Sequence, residues 1–191
     1  MRTFLTWDEV QRLIEAGGSK RNRLLLRLLA YTGIRVSELC ALRVKDCDLK
    51  GCQILIPHLK SRRKGKKRIV DIDTKTARLI QEYIEECKLP PEGRLFDINR
   101  FRAYAIVRQA ARRAGLEGQI LTHPSSGKGH YVSPHRLRDA FAMRWLQHDD
   151  SFDSAELLQE ALGHSSLDTT RRYVKLGRER RRKAYRQIFS D

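Results

Sequence analysis

Three short stretches of the chain hold residue types that bind and attack an anion. Ser133-Pro134-His135-Arg136-Leu137-Arg138 reads as a helix start. Ser133 is a good N-cap, and Pro134 suits the first helical position because its missing N–H was an orphan anyway. His135 and Arg138 then fall three apart, on one face of the new helix. In Leu162-Gly163-His164-Ser165-Ser166-Leu167-Asp168, Gly163 reads as a helix stop, and Ser165 with Asp168 as the capping signal of another short helix. That spacing puts His164 in a tight turn and Tyr173 at the far end of the next helix. In Thr32-Gly33-Ile34-Arg35-Val36-Ser37-Glu38, Arg35 precedes a helix whose dipole disfavours a cation there, which points to a nearby anion, either Glu38 or a ligand.

The chemistry that suits this set is transfer at a phosphodiester. Guanidinium groups match phosphate oxygens as forks and stay charged at any working pH. Arg35 and Arg138, with a histidine, would stabilise the extra charge of a pentacoordinate phosphoryl transition state. Two preorganised arginines can take the place of a metal, and no carboxylate cluster in the sequence looks like a two-metal site, so neither a metal nor a cofactor is expected. A tyrosine can attack such a phosphate and form a covalent intermediate. His135 would accept or buffer the phenolic proton, and a lysine would protonate the leaving 5′ oxygen. Because a phosphotyrosine conserves the bond energy, the step is reversible and suits strand exchange. Tyr31, Tyr83, Tyr104, Tyr131 and Tyr185 are rivals to Tyr173 for the nucleophile.

The composition agrees with a phosphate-rich partner. Lys and Arg number 39 against 23 Asp and Glu, a net charge of +16 over 191 residues. That excess points to a polyanion, with nucleic acid the first candidate. The length suits one well-buried core. No apolar run is long enough to cross a bilayer, no signal-peptide pattern opens the chain, and the four cysteines form no CxxC pair, so a cytoplasmic protein with reduced thiols is expected.

The elements that must position these residues are mostly helical. Thr6-Trp7-Asp8-Glu9 is a capping box ahead of Val10, Leu13 and Ile14. A leucine-rich helix follows from about Lys20 to Tyr31, stopped by Gly33, and a third helix carries Leu39 and Leu42. Residues 52–56 and 68–72 read as strands. Between them Lys60-Ser61-Arg62-Arg63-Lys64-Gly65-Lys66-Lys67-Arg68 makes a β-hairpin with a cationic tip, read as a phosphate contact. Helices are expected over residues 74–87 and about 99–114, a loop over 118–132, and a terminal basic helix from Gly177 to about Phe189.

In this order and spacing the motifs resemble the catalytic domain of tyrosine recombinases, the phage integrase family, in its Xer-like form. The likeness rests on Arg35 in TGIRVSEL, on His135 and Arg138 in SPHRLRDAFA, and on LGHSSLDTTRRYV ending in Tyr173, and it covers about residues 6–188. It implies a mainly α fold with a small antiparallel β-sheet, an α+β domain. It implies that Arg35 and Arg138 grip the scissile phosphate, with His135 as general base or stabiliser. His164 would hydrogen-bond the same phosphate, and Tyr173 would join the 3′ end. The hairpin lysine that acts as general acid maps best to Lys60, with Lys64 as the alternative. Glu38 would support Arg35 from behind, and Arg62, Arg63, Lys64, Lys66, Lys67, Arg171 and Arg172 would contact DNA.

Two departures stand out. Asp139 occupies the place where the family often has a second histidine. The catalytic domain also begins almost at Met1, so residues 1–191 are expected to form one domain without the usual N-terminal DNA clamp. The expected activity is metal-independent cleavage and rejoining of double-stranded DNA through a 3′-phosphotyrosyl link, by a homo-tetramer on DNA. The alternatives are a type IB topoisomerase-like relaxase, or a catalytically silent DNA-binding regulator.

Overall fold

The computed structural model describes residues 3–57, 67–122, 129–148 and 151–163. The hairpin tip, the helix expected after Ser165 and the terminal basic helix lie outside the described residues.

The first helix, α1 (Trp7–Glu15), starts where the capping box predicts. The Glu9 amide donates to Thr6 Oγ1 at 3.3 Å, and the Thr6 amide donates back to Glu9 Oε2 at 2.9 Å. Next, α2 (Lys20–Thr32) is capped by Ser19 and buries Leu24, Leu25, Leu26, Leu28 and Leu29 at the centre of the core. It ends at Gly33, whose φ of 58° lies in the left-handed region. A β-carbon there would also come within 2.6 Å of Leu162 and 2.7 Å of Phe141, so this position requires glycine twice over.

A short helix, α3 (Val36–Ala41), and a 3-10 turn at Val44–Asp46 lead into a three-stranded antiparallel sheet of β1 (Cys47–Asp48), β2 (Gln53–Pro57) and β3 (Lys67–Asp71) in that order. The predicted strands therefore each shift by one residue, Ile54 pairs with Val70, and the two-residue β1 joins them. α4 (Thr74–Cys87) and α5 (Arg100–Arg113) follow, capped by Asp73 and Asn99. The loop expected over 118–132 is corrected in part. Leu121–Thr122 (β4) pairs antiparallel with Gly129–His130 (β5), a ladder too short to leave an alternating pattern in the sequence.

The last two described helices are α6 (Pro134–His148) and α7 (Phe152–Leu162). The Leu137 amide donates to the Ser133 carbonyl at 3.2 Å, the first bond of α6, so that helix starts where Ser133-Pro134 predicts. The main core joins α1 through α6 with the sheet, and a smaller cluster of Phe141, Ala142, Leu146, Ala155, Leu158 and Leu162 glues α7 to α6. α7 also lies against β3. Gly33 sits at the seam, where the end of α2 meets Phe141 and Leu162. Among the described residues, no helix is long and apolar enough to cross a membrane. The architecture is mainly α with a small antiparallel sheet, as the residue pattern predicts.

Candidate active site

The end of α7 organises the site. A helix leaves its last carbonyls without intrahelical partners, and cations favour that end of the dipole. Here three successive carbonyls each accept from a different arginine. Arg68 Nε donates to the Ala161 carbonyl at 3.0 Å, Arg138 Nη2 to Leu162 at 2.7 Å, and Arg35 Nη2 to Gly163 at 3.0 Å. Gly163 closes the helix in the left-handed conformation, with φ of 62°. The three arginines come from β3, α6 and the turn between α2 and α3, so the end of α7 gathers parts of the chain that are far apart in sequence.

Arg138 is only 3% exposed, and its Nη1 donates to the Gly33 carbonyl as well. Its guanidinium plane is thus fixed between the end of α2 and the end of α7. Arg35 stands one residue before α3, with 27% of its side chain exposed. Its Nη1 donates to Glu38 Oε1 at 2.9 Å, and its amide donates to Glu38 Oε2 at 3.0 Å. The anion anticipated near Arg35 is therefore Glu38, which reaches back over the first turn of α3.

Glu38 is 2% exposed and serves two arginines. Arg68 Nη1 and Nη2 grip both of its oxygens, at 3.0 and 2.8 Å. Burial alone would push the Glu38 carboxyl up. The Arg68 fork, the Arg35 amide and the Arg35 guanidinium outweigh it and hold the carboxyl below its ordinary value. The carboxylate stays ionised, and each arginine is held in one plane.

Arg68 corrects the sequence reading. The sequence groups it with the hairpin cations that contact phosphate, but it is buried and spent on Glu38 and Ala161. A signal for this was present: the strand period of two places Arg68 on the same face as Val70, and both are buried while Lys67, Ile69 and Asp71 are exposed.

His135 is exposed on the first turn of α6. Arg136 and Asp139, both buried, form an ion pair of 2.8 Å along the same helix, so Asp139 has a partner built for its charge. Lys67 is half-exposed, with Nζ 3.6 Å from Asp46 Oδ1. Lys60, Arg62, Arg63, Lys64, Lys66, His164, Arg171, Arg172 and Tyr173 lie outside the described residues. His164 nevertheless follows directly on the Gly163 carbonyl that Arg35 holds. Elsewhere, α5 contains no acidic residue and exposes Arg100, Phe101, Arg102, Tyr104 and Arg108.

Comparison with known proteins places the chain in a family. The model of the phage integrase family matches residues 3–180. A tyrosine recombinase of Pseudothermotoga lettingae is 35% identical over 177 residues, covering 90% of this chain and 55% of its own length. The chain thus spans a little over half the length of the curated relatives it matches. The crystal structure of XerA recombinase superposes on the whole chain with a TM-score of 0.77 at 28% identity, using 66% of that structure. XerH site-specific recombinase, in a post-cleavage complex with a palindromic difH substrate, superposes on 96% of the chain with a TM-score of 0.72 at 27% identity, using 52% of that structure. By its motifs, its fold and its family match, the chain belongs to the phage integrase family.

Proposed function

We propose that residues 1–191 act as one catalytic unit that cuts and rejoins double-stranded DNA, as part of a site-specific recombinase. The observation that carries this reading is the meeting of Arg35 and Arg138 on consecutive carbonyls, immediately before His164. Two guanidinium groups fixed side by side suit one phosphate, and fixed donors stabilise transition-state charge without reorganising.

In the proposed reaction, Tyr173 Oη attacks the phosphorus of the scissile diester. Arg35 and Arg138 hold the non-bridging oxygens, and His164 donates a hydrogen bond to the same group. His135 takes up or buffers the phenolic proton. The bond to the 5′ oxygen breaks, and Lys60, or Lys64 in the alternative assignment, delivers the proton that the leaving group needs. The product is a 3′-phosphotyrosyl link and a free 5′-hydroxyl. Attack by the 5′-hydroxyl of a partner strand reverses the step and completes the exchange. The cations at Arg62, Arg63, Lys64, Lys66, Lys67, Arg171 and Arg172 would contact the flanking phosphates. Exchange between two duplexes calls for four active sites, which supports a homo-tetramer on DNA. The relatives above are named recombinases, which favours exchange over simple relaxation or a silent regulatory role.

The test uses a nicked DNA substrate carrying the native site, or a random pool of sites, with EDTA present. A covalent protein–DNA band should form on a denaturing gel and should vanish in Tyr173→Phe, while DNA affinity changes by less than about twofold, because one phenolic oxygen adds no charge to the phosphate contacts. A band that persists in that variant would move the nucleophile to another tyrosine.

A further inference from the structure

Arg68 is not among the residues assigned to the reaction, yet it is the most completely engaged group beside it. All three of its nitrogens are used: Nη1 and Nη2 on Glu38, and Nε on the Ala161 carbonyl. Its side chain is 5% exposed, facing a carboxylate that is 2% exposed. A lone packing role does not demand this. Burying a charged pair carries a desolvation cost that well-packed apolar residues avoid.

The connectivity gives the pair a purpose. Glu38 Oε1 accepts from both Arg68 Nη1 and Arg35 Nη1, so the plane that Arg68 imposes on the carboxylate is passed to Arg35. The Nε bond of Arg68 fixes the end of α7 one residue ahead of the carbonyl that Arg138 holds, and two ahead of the one that Arg35 holds. Arg68 also belongs to β3, the strand that returns from the cationic hairpin. Arg68 is thus tied both to the carboxylate that holds Arg35 and to the helix end on which Arg35 and Arg138 meet.

We infer that Arg68 is a positioning residue for strand transfer: through Glu38 and the end of α7 it sets the orientation of Arg35 relative to Arg138. The inference rests on the strand-transfer reading above for its effect on rate, though not for its effect on Arg35. Arg68→Lys keeps the charge but replaces the rigid planar fork with a compact ammonium, which does not reproduce the bidentate grip on Glu38 together with the Nε bond to Ala161.

The experiment compares wild type with Arg68→Lys in three measurements. Thermal melting reports whether the variant folds. Binding to the native-site duplex and single-turnover formation of the covalent adduct separate affinity from rate. NMR of the Arg35 guanidinium, in the DNA-free protein, reports whether rotation of that group is restricted. The expected result is a cooperatively folded variant with DNA affinity within about twofold of wild type. Its adduct-formation rate should fall about 10²-fold, the loss that follows from a displacement of about 1 Å at a reacting centre. Its Arg35 guanidinium should rotate faster.

Wild-type rate in Arg68→Lys, a loss seen only in affinity, or an unchanged Arg35 signal would each overturn the inference. If Arg68→Lys does not fold, the neutral pair Glu38→Gln with Arg68→Gln takes its place and must show the same split between rate and affinity. If wild type itself forms no adduct on its own site, the strand-transfer reading fails, and the Arg35 signal alone still decides the coupling.

Discussion

Asp73 and Glu38 each cap the first turn of a helix, and each holds an arginine from another part of the chain. Asp73 caps α4 through the Thr76 amide at 2.8 Å, and both of its oxygens take Arg27 Nη2, at 3.0 and 2.8 Å. Arg27 is consumed entirely inside the fold. Its Nε donates to Thr76 Oγ1 at 2.7 Å, and its Cζ lies 3.9 Å over the Tyr31 ring. It fastens α2 to α4. At Glu38 the deeply buried partner is Arg68, and that arrangement leaves Arg35 partly exposed at the end of α7. The difference lies in where the cation ends up. One network closes on itself and serves the fold, whereas the other holds one arginine in order to present a second.

The strongest way to break this comparison is to neutralise the buried carboxylate. Glu38→Gln leaves two guanidinium groups facing an amide. Removing one partner of a buried pair costs about 3–5 kcal/mol, because the remaining charge is uncompensated. The sign with pH follows from the carboxyl being held below its ordinary value in the fold. Its stabilisation is fully present above the unfolded-state pKa of about 4.3 and is lost as pH falls through the lower folded value. Chemical denaturation of wild type and Glu38→Gln should therefore differ most at neutral pH and converge only in acid, as pH falls through the lowered folded value. A gap that stays constant through that range would mean the carboxylate charge is not what holds the two arginines.

The next test exchanges the arginines themselves. Arg35→Ala should lower adduct formation by at least about 10²–10³-fold, the loss typical of one preorganised transition-state donor. Its melting temperature should move little, since Arg35 is partly exposed. Arg27→Ala should do the reverse, lowering stability while leaving the rate per folded molecule unchanged. Measuring melting and single-turnover cleavage on both variants places each arginine on one axis or the other. Equal losses on both axes for either variant would remove the distinction drawn between the two networks.

Much of this division was legible in the residues alone. The capping box at Thr6 and Glu9, the helix start at Ser133-Pro134 and the glycine stops at Gly33 and Gly163 are local devices with local signals, and the structure follows them. The partnership of Arg35 with Glu38 was legible for the same reason, since three residues at a helix start put them within reach. The arginine cap on α7 was not. Arg138 and Arg35 bond to backbone carbonyls, and every residue offers one, so no side-chain pattern marks the acceptor. Arg68 reads as part of the cationic tip because it continues a run of cations around a glycine, whereas the strand period sets it on the buried face with Val70. The short strands β1, β4 and β5 span two residues each, too few to display any period.

The finest test asks what Asp73 contributes beyond its cap. Its side chain is 40% exposed, so its attraction to Arg27 is partly screened by water. Asparagine caps helices as well as aspartate does, and its carbonyl can still accept from Arg27. Asp73→Asn should thus cost less than about 1 kcal/mol, the range of a partly exposed ion pair. Asp73→Ala should cost about 1 kcal/mol more than Asp73→Asn, from the lost cap. Burial pushes the Asp73 carboxyl up, but the Thr76 amide and hydroxyl together with Arg27 outweigh it and leave it below its ordinary value. The charge-dependent part of its stabilisation is therefore present above the unfolded-state pKa of about 3.9 and fades as pH falls below it, so wild type and Asp73→Asn should converge in acid. A cost for Asp73→Asn as large as that for Glu38→Gln would mean that Arg27 depends on its carboxylate as heavily as Arg35 and Arg68 depend on theirs, and the two networks would then be one kind of device.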